Sequence, residues 1–195
     1  MPVNSTLINI FGGPGVGKST LAASLYSGLS ASGKSTELVT EFVKDWAWRG
    51  QKPSCTGDQV FLCANQIYRE APLYGQVELI VTDSPWLLSP VYEQRLFNTT
   101  ITACMAVKYY THLVHERGVK IKNFVLQRFT PYQNNGRFQD EEQAKHIDNG
   151  IIAFLDSYAI PYEVINVPGK LAEERILQSL WTPSTQLNTA SRIDL

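Results

Sequence analysis

The sequence has few charged residues, and they nearly cancel. Only 18% of the 195 residues are charged, and 17 Lys and Arg face 18 Asp and Glu, which gives a net charge of −1. This balance excludes a globally basic nucleic-acid coat and an acidic solvating tail. Any contact with nucleic acid would therefore have to come from a local basic patch.

Cysteines and long apolar runs are also scarce. The three cysteines, Cys55, Cys63 and Cys104, show no C-x-x-C spacing, which indicates reduced thiols and neither a disulfide framework nor a zinc site. The apolar runs are far shorter than a bilayer-spanning helix. The first of them, Leu7 to Phe11, has no Lys or Arg before it, so no secretory signal is expected. We expect a cytoplasmic protein with no membrane partner; the sequence does not indicate its oligomeric state.

The remaining composition is typical of one globular domain. Apolar residues make up 44% of the chain, enough to build a sizeable core. Apolar runs of strand length alternate with segments of helical periodicity, which predicts an α/β chain of the three-layer P-loop NTPase type, with a five-stranded, mainly parallel sheet and helices on both faces. The strands are predicted at residues 7–11, 38–42, 79–83, 124–128 and 162–167. The helices are predicted at residues 18–30, 58–74, 101–116, 139–158 and 171–180. We expect a single domain over residues 1–181 and a loose tail over 182–195.

A glycine-rich segment between the first strand and the first helix carries the most specific signal. It matches the phosphate-binding pattern G-x-x-x-x-G-K-[ST] in full. Glycines let backbone N–H groups turn toward phosphate oxygens, and the helix that follows points its positive end at the same place. Lys18 is expected to reach the β- and γ-phosphates of ATP, and the Ser19 hydroxyl to ligate Mg²⁺. The predicted nucleotide-binding residues are Gly12, Gly13, Pro14, Gly15, Val16, Gly17, Lys18, Ser19 and Thr20.

Asp83 follows the buried run Leu79 to Thr82. A carboxylate at the end of such a strand is where a P-loop protein holds Mg²⁺. The alternative role is a helix N-cap before Ser84 and Pro85, and the two roles can coexist. We predict that Asp83 is a magnesium ligand together with Ser19.

Two absences favour phosphoryl transfer over hydrolysis. No Glu follows Asp83 to orient water, and no Asn-Lys-x-Asp sequence is present to recognise guanine. The chain is also short for a large ATPase machine. Among P-loop proteins, a kinase is therefore favoured over a motor or a switch.

Two acidic residues follow the second predicted strand. Glu41 is placed at its end, and Asp45 lies four residues later. Because ligands gather at the carboxyl ends of parallel strands, a carboxylate here can accept the proton of an attacking hydroxyl. A solvated or helix-capping role is the alternative for both residues.

Arg128 and Arg137 bracket a polar, turn-rich segment after the fourth predicted strand. We predict a lid at about residues 128–138 whose arginines stabilise charge on the transferring phosphoryl group and whose closure excludes water. The alternative is that both arginines pair at the surface with neighbouring acids.

These features resemble, in order and spacing, the nucleoside and nucleoside-monophosphate kinases. The resemblance rests on the P-loop, Glu41, Asp83-Ser84 and the segment 128–137, and it covers residues 5 to about 181. Thymidylate kinase, the deoxynucleoside kinases and the ribosylnicotinamide kinase domain are similar in plan. The resemblance implies ATP and Mg²⁺ as cofactors, and it implies that the strands before Glu41 and Asp83 are neighbours in the sheet. The chain departs from thymidylate kinase because Asp83 is followed by Ser-Pro and not by Arg.

The segment after Glu41 is the most informative about the acceptor, within a predicted acceptor-side insert at about 44–75. Trp46, Trp48 and Arg49 lie close together there, and aromatic faces beside cations suit a stacked base and its phosphates. Trp86 is a further predicted acceptor contact. Packing of the tryptophans against the sheet is the alternative.

Three functions remain open from the sequence. The chain is similar in size and plan to small phage kinases that phosphorylate 5-hydroxymethyluracil within DNA, which implies transfer to the hydroxymethyl group of modified phage DNA. The second function is a soluble nucleoside or nucleoside-monophosphate kinase. The third is a non-enzymatic P-loop regulator that binds nucleotide without transferring phosphate.

Overall fold

The structure is a computed structural model that describes residues 3–129 and 141–181. Its strands are β1 (Thr6–Phe11), β2 (Thr36–Val39), β3 (Leu79–Thr82), β4 (Lys120–Leu126) and β5 (Glu163–Ile165). Its α-helices are α1 (Lys18–Ala31), α2 (Val43–Trp48), α3 (Thr56–Glu70), α4 (Leu88–Phe97), α5 (Ile101–Thr111), α6 (Glu141–Ser157) and α7 (Gly169–Trp181). A 3₁₀ turn (Ala71–Leu73) extends α3, and a π-helical turn (His112–Glu116) extends α5.

The five strands form one sheet in the order β2-β3-β1-β4-β5, and every pairing is parallel. β1 lies in the centre, where Thr6 pairs with Leu79 of β3 and Lys120 of β4. The strands before Glu41 and Asp83 are neighbours, as the resemblance to nucleotide kinases implied. All five carboxyl ends face one edge of the sheet, which is where parallel α/β proteins bind ligands. The predicted fold class is confirmed.

Helices cover both faces of the sheet, which makes three layers. Successive residues of β1 point to opposite faces: Leu7 and Phe11 belong to one buried cluster, whereas Ile8 and Ile10 belong to the other. The first cluster packs against α4, α5 and α6, and the second packs against α1 and α7. Because both faces of the strands are covered, the strands read as continuous apolar runs in the sequence.

Three local differences from the predicted elements affect the site. β2 ends at Val39, because its partner β3 ends at Thr82 and leaves no ladder for Glu41. The segment predicted to be irregular contains α2, a helix too short to show an apolar period. Pro90 was expected to break the chain but lies in the first turn of α4, where proline is tolerated.

Some expectations fall outside the described residues. These are the arginine at position 137, most of the predicted lid and the tail 182–195. Within the part of the chain that is described, no helix has the length and apolar character needed to cross a membrane.

Candidate active site

The P-loop joins β1 to α1 at the centre of the sheet's carboxyl edge. Gly12, Gly15 and Gly17 all have positive φ angles, of 149°, 81° and 98°. A Cβ atom on Gly12 would lie 2.6 Å from Cγ1 of Val16, so glycine is required there for space as well as for conformation. The N-terminus of α1 starts at Lys18 and points its unpaired N–H groups into the loop. The predicted P-loop is therefore built as the motif requires.

The Lys18 ammonium lies inside this loop. It donates hydrogen bonds to the carbonyl oxygens of Gly12, at 2.7 Å, and Gly13, at 3.0 Å. Burial lowers the pKa of Lys18, and the negative charges of Glu41, Asp83 and Asp148 oppose this effect. Lys18 is thus the cationic centre of a predominantly acidic surround.

Arg128 has a different environment from the mobile lid that the sequence suggested. Its guanidinium pairs with Asp148 of α6 at 2.9 Å and donates to the carbonyl of Pro14 at 3.0 Å. Asp148 also accepts the backbone N–H of Gly13 at 2.5 Å. The pair is largely buried, with side-chain exposures of 10% and 22%. Arg128 therefore braces the P-loop through fixed contacts, and the expectation that it borders a mobile lid is corrected.

Asp83 and Ser19 lie next to each other at the ends of β3 and the P-loop. Lys44 of α2 bridges them, since its ammonium is 2.7 Å from Ser19 Oγ and 3.1 Å from Asp83 Oδ2. The Asp83 side chain is 2% exposed, and its Oδ1 has no hydrogen-bond partner in the described structure. A hydroxyl and a buried carboxylate that already hold a cation, with a lone pair to spare, fit Mg²⁺. No group of three or more His, Cys, Asp or Glu side chains that could hold a metal occurs in the described ranges, so phosphate oxygens would supply further ligands.

A cavity of about 290 Å³ opens beside the P-loop, between α2, α3 and α4. The P-loop forms one wall with Lys18 and Ser19, and Glu41 and Lys44 lie opposite. Polar or aromatic side chains complete it, namely Phe42, Gln59, Gln66, Ser84, Ser89 and Tyr92. Apolar side chains from α3 and α4, such as Leu62 and Leu88, form the rest of the wall. The cavity therefore offers a pocket for a small organic group next to the phosphate site.

The structure separates the two carboxylates proposed as proton acceptors. Glu41 lines the cavity, and burial raises the pKa of its carboxyl, with the nearby Lys18 opposing this shift. Asp45 does not line the cavity and pairs with Arg69 of α3 at 3.1 Å. The prediction that Asp45 serves the site is therefore wrong, because its position on α2 turns it toward α3.

The predicted acceptor contacts are placed mostly outside the cavity. Trp46 stacks on Phe61 with ring centroids 5.8 Å apart, and Trp48 is 85% exposed. Arg49 is also exposed at the end of α2. Trp86 forms part of the wall but is fully buried, and its indole N–H donates to the Ala106 carbonyl. Trp86 is thus chiefly a core residue, as the alternative of packing anticipated.

Three residues of the site were missed in the sequence. Lys44 was named only as one cation among several, although its place just after Glu41 was the available signal. Asp148 is an acid beside the apolar stripe of α6, next to the buried Ile147, which gives no sign of its contact with the P-loop. Gln59 is 4% exposed and faces the cavity, and nothing in the sequence distinguishes it from other amides of α3.

Comparison with known proteins identifies the class. A family model described as AAA domain matches residues 7–175, so the chain belongs to that family. A search of curated proteins finds no match.

Solved structures with the same fold are nucleoside and nucleotide kinases. A deoxyadenosine kinase from M. mycoides, with products dCMP and dCDP bound, is 18% identical with a TM-score of 0.58, over 90% of this chain and 98% of that chain. A thymidylate kinase from Ehrlichia chaffeensis is 14% identical with a TM-score of 0.61, over 91% and 99%. The NadR protein in complex with NR is 12% identical with a TM-score of 0.67, over 95% of this chain and 54% of that chain. The fold of this chain is thus the P-loop fold that these kinases share.

Proposed function

We propose that this protein is a kinase that transfers the γ-phosphoryl group of ATP to a hydroxyl of a nucleoside-type acceptor. The observation that carries the proposal is the shared cavity: Lys18 and Ser19 form its P-loop wall, and the buried carboxylate of Glu41 lines it from α2. A carboxylate facing a phosphate site across a pocket can accept the proton of a hydroxyl held between them.

Transfer in this geometry requires one bond to form and one to break. The acceptor oxygen bonds to the γ-phosphorus while the bond to the bridging oxygen of ADP breaks, and the hydroxyl proton passes to Glu41. Lys18 places a positive charge on the β- and γ-phosphates, and the backbone N–H groups of the P-loop hold the same oxygens. The raised pKa of Glu41 makes it a stronger base than an exposed glutamate.

Ser19 and Asp83 would hold Mg²⁺ in this enzyme. When bound, the ion neutralises charge on the phosphate oxygens. Arg128 and Asp148 contribute by fixing the backbone of Gly13 and Pro14, which keeps the loop in its phosphate-binding conformation. The apolar wall of the cavity limits water near the transferring group.

Gln59 supports an acceptor with a base-like hydrogen-bonding edge. Its side chain is nearly fully buried on α3 and lines the cavity. A buried amide needs partners, and one donor beside one acceptor matches the paired donor and acceptor of a nucleobase. Gln66 is committed elsewhere, because it accepts from the Phe42 backbone and donates to Thr82. We therefore propose a free nucleoside or nucleoside monophosphate as acceptor.

A second acceptor is favoured by the surface of α2 and α3. Trp48 and Tyr68 are 85% and 77% exposed, and Arg49 and Lys52 lie on the same side of the chain as Trp48. Exposed aromatic rings beside cations suit an unpaired nucleic-acid strand. We propose 5-hydroxymethyluracil in DNA, with the base extruded into the cavity, as the second candidate.

An acceptor panel tests the proposal. ATP labelled in the γ-phosphate is offered with nucleosides, nucleoside monophosphates, ordinary DNA and DNA containing 5-hydroxymethyluracil. The first candidate predicts label on a free nucleoside or monophosphate, and Gln59→Leu should then raise the acceptor KM with little change in the KM for ATP. Gln59→Glu, which keeps the shape but loses the donor, is the matched variant. Label confined to the modified DNA would favour the second candidate, and label on no acceptor would leave a nucleotide-binding regulator.

A further inference from the structure

Lys44 occupies a position between three oxygen-bearing side chains. Its ammonium lies 2.7 Å from Ser19 Oγ, 3.1 Å from Asp83 Oδ2 and 3.9 Å from Glu41 Oε2. Asp83 is 2% exposed, whereas Lys44 is 43% exposed. The lysine thus reaches in from the surface to neutralise a buried carboxylate at the edge of the phosphate site.

The oxygens that Lys44 contacts are the same ones that fit Mg²⁺. A divalent cation and an ammonium cannot both lie on Ser19 Oγ and Asp83 Oδ2, because their charges repel and their volumes overlap. A buried carboxylate without a cation would be costly, so one of the two has to be present. Glu41 gives the lysine a second carboxylate within 3.9 Å on the same wall of the cavity.

We propose that Lys44 is an internal counter-ion that competes with Mg²⁺ for Ser19 and Asp83 and moves toward Glu41 when the metal ion binds. The lysine keeps Asp83 compensated until the nucleotide brings its metal ion, and it raises the Mg²⁺ concentration that the site needs. The proposal rests on the proposed nucleotide site for its purpose, but the competition itself does not depend on phosphoryl transfer.

A merely structural role for Lys44 would have a different consequence. If the lysine only fastened α2 to the P-loop, its removal would loosen the site and weaken metal binding. If it competes with the ion, its removal frees both ligands and strengthens metal binding, since the coupling between two ligands of one site is reciprocal. The direction of the change therefore distinguishes the two roles.

The test measures Mn²⁺ binding by electron paramagnetic resonance, without nucleotide, on the full chain. Lys44→Gln should bind Mn²⁺ at least about fivefold more tightly than the wild type, because the competing charge is gone. Lys44→Arg retains a cation and should stay near the wild type. Lys120→Gln removes one charge from the exposed start of β4, at the other end of the sheet, and controls for net charge.

A second readout follows the nucleotide by titration calorimetry. The ratio of the ADP Kd in EDTA to the ADP Kd in Mg²⁺ should rise in Lys44→Gln by about fivefold or more, because Asp83 then repels phosphate whenever no metal ion is present. Unchanged or weaker Mn²⁺ binding by Lys44→Gln would overturn the proposal. The acceptor panel judges the proposed function separately, because metal competition can be present in a protein that transfers no phosphate.

Discussion

The Asp148 carboxylate of α6 accepts a hydrogen bond from the backbone N–H of Gly13 at 2.5 Å, although the two residues are 135 positions apart. The other oxygen of the same carboxylate pairs with Arg128 at 2.9 Å, and Arg128 reaches the Pro14 carbonyl. A Cβ atom on Gly13 would lie 2.6 Å from Asp148 Oδ1 and 2.8 Å from the Ala144 carbonyl. The first turn of the P-loop is therefore fastened to α6.

This bracing predicts that Asp148→Ala weakens ATP binding without unfolding the protein. Loss of a buried, charged hydrogen bond should raise the Kd for ATP by about tenfold or more, as measured by titration calorimetry. Gly13→Ala should have a comparable effect, because the methyl group displaces the carboxylate. Asp156→Asn, which changes an exposed acid on the same helix, is the control. An ATP affinity equal to the wild type in both variants would show that the contact does not position the loop.

Glu41→Gln is expected to abolish most of the transfer. The amide keeps the size of the side chain but cannot accept the proton of the acceptor hydroxyl, so kcat should fall by about 10²- to 10⁴-fold. The Kd for ATP should change little, because Lys18 and the P-loop backbone hold the phosphates. Asp45→Asn is the matched control, because Asp45 pairs with Arg69 away from the cavity. Equal activity of Glu41→Gln and the wild type would assign the proton to another group.

Asp83→Asn is expected to change the metal requirement. The amide loses the negative charge that favours Mg²⁺, so the Mg²⁺ concentration for half-maximal transfer should rise strongly. The measurement is transfer rate against free Mg²⁺ at fixed ATP. A magnesium curve identical to that of the wild type would restore the alternative that Asp83 only caps the following turn.

Glu70 predicts a pH dependence of folding stability. It is fully buried at the end of α3, where Tyr74 donates to one oxygen and the other has no partner in the described structure. Burial raises the pKa of Glu70 to about 8, from an ordinary value of 4.5. Between these values the unfolded chain releases a proton that the native state retains, so the free energy of unfolding should fall as pH rises and level off above about pH 8.

Urea unfolding at pH 5, 7 and 9 measures this effect. Glu70→Gln stays neutral in both states, so its free energy of unfolding should fall less over that range than the wild type's. Glu78→Gln changes an exposed acid paired with Lys34 and should keep the full decrease. A parallel decrease in Glu70→Gln and the wild type would show that Glu70 is ionised in the native state at neutral pH.

The fold was predictable because local signals agreed with each other. The P-loop motif fixes β1 and α1, and the apolar run Leu79 to Thr82 marks a strand buried on both faces. The difficult elements are those whose form depends on partners. α2 has six residues and no apolar period, and the end of β2 is set by the end of β3.

The site was predictable only where one motif defines it. Lys18, Ser19 and Asp83 follow from the P-loop and the strand end, because the chemistry of phosphate binding restricts residue type and spacing. Asp148 was not predictable, because its contact crosses the length of the chain. Tryptophans were a misleading signal: Trp86 is buried in the core and Trp48 is exposed, and their spacing in the sequence cannot distinguish these surroundings.

The most direct measurement follows where the γ-phosphate of ATP goes when the protein turns over with Mg²⁺ and its acceptor. The account predicts that the label leaves with the acceptor's hydroxyl oxygen, that inorganic phosphate stays a minor product, and that Lys18→Ala stops the transfer. Label released mainly as inorganic phosphate, or turnover undiminished in Lys18→Ala, would contradict it.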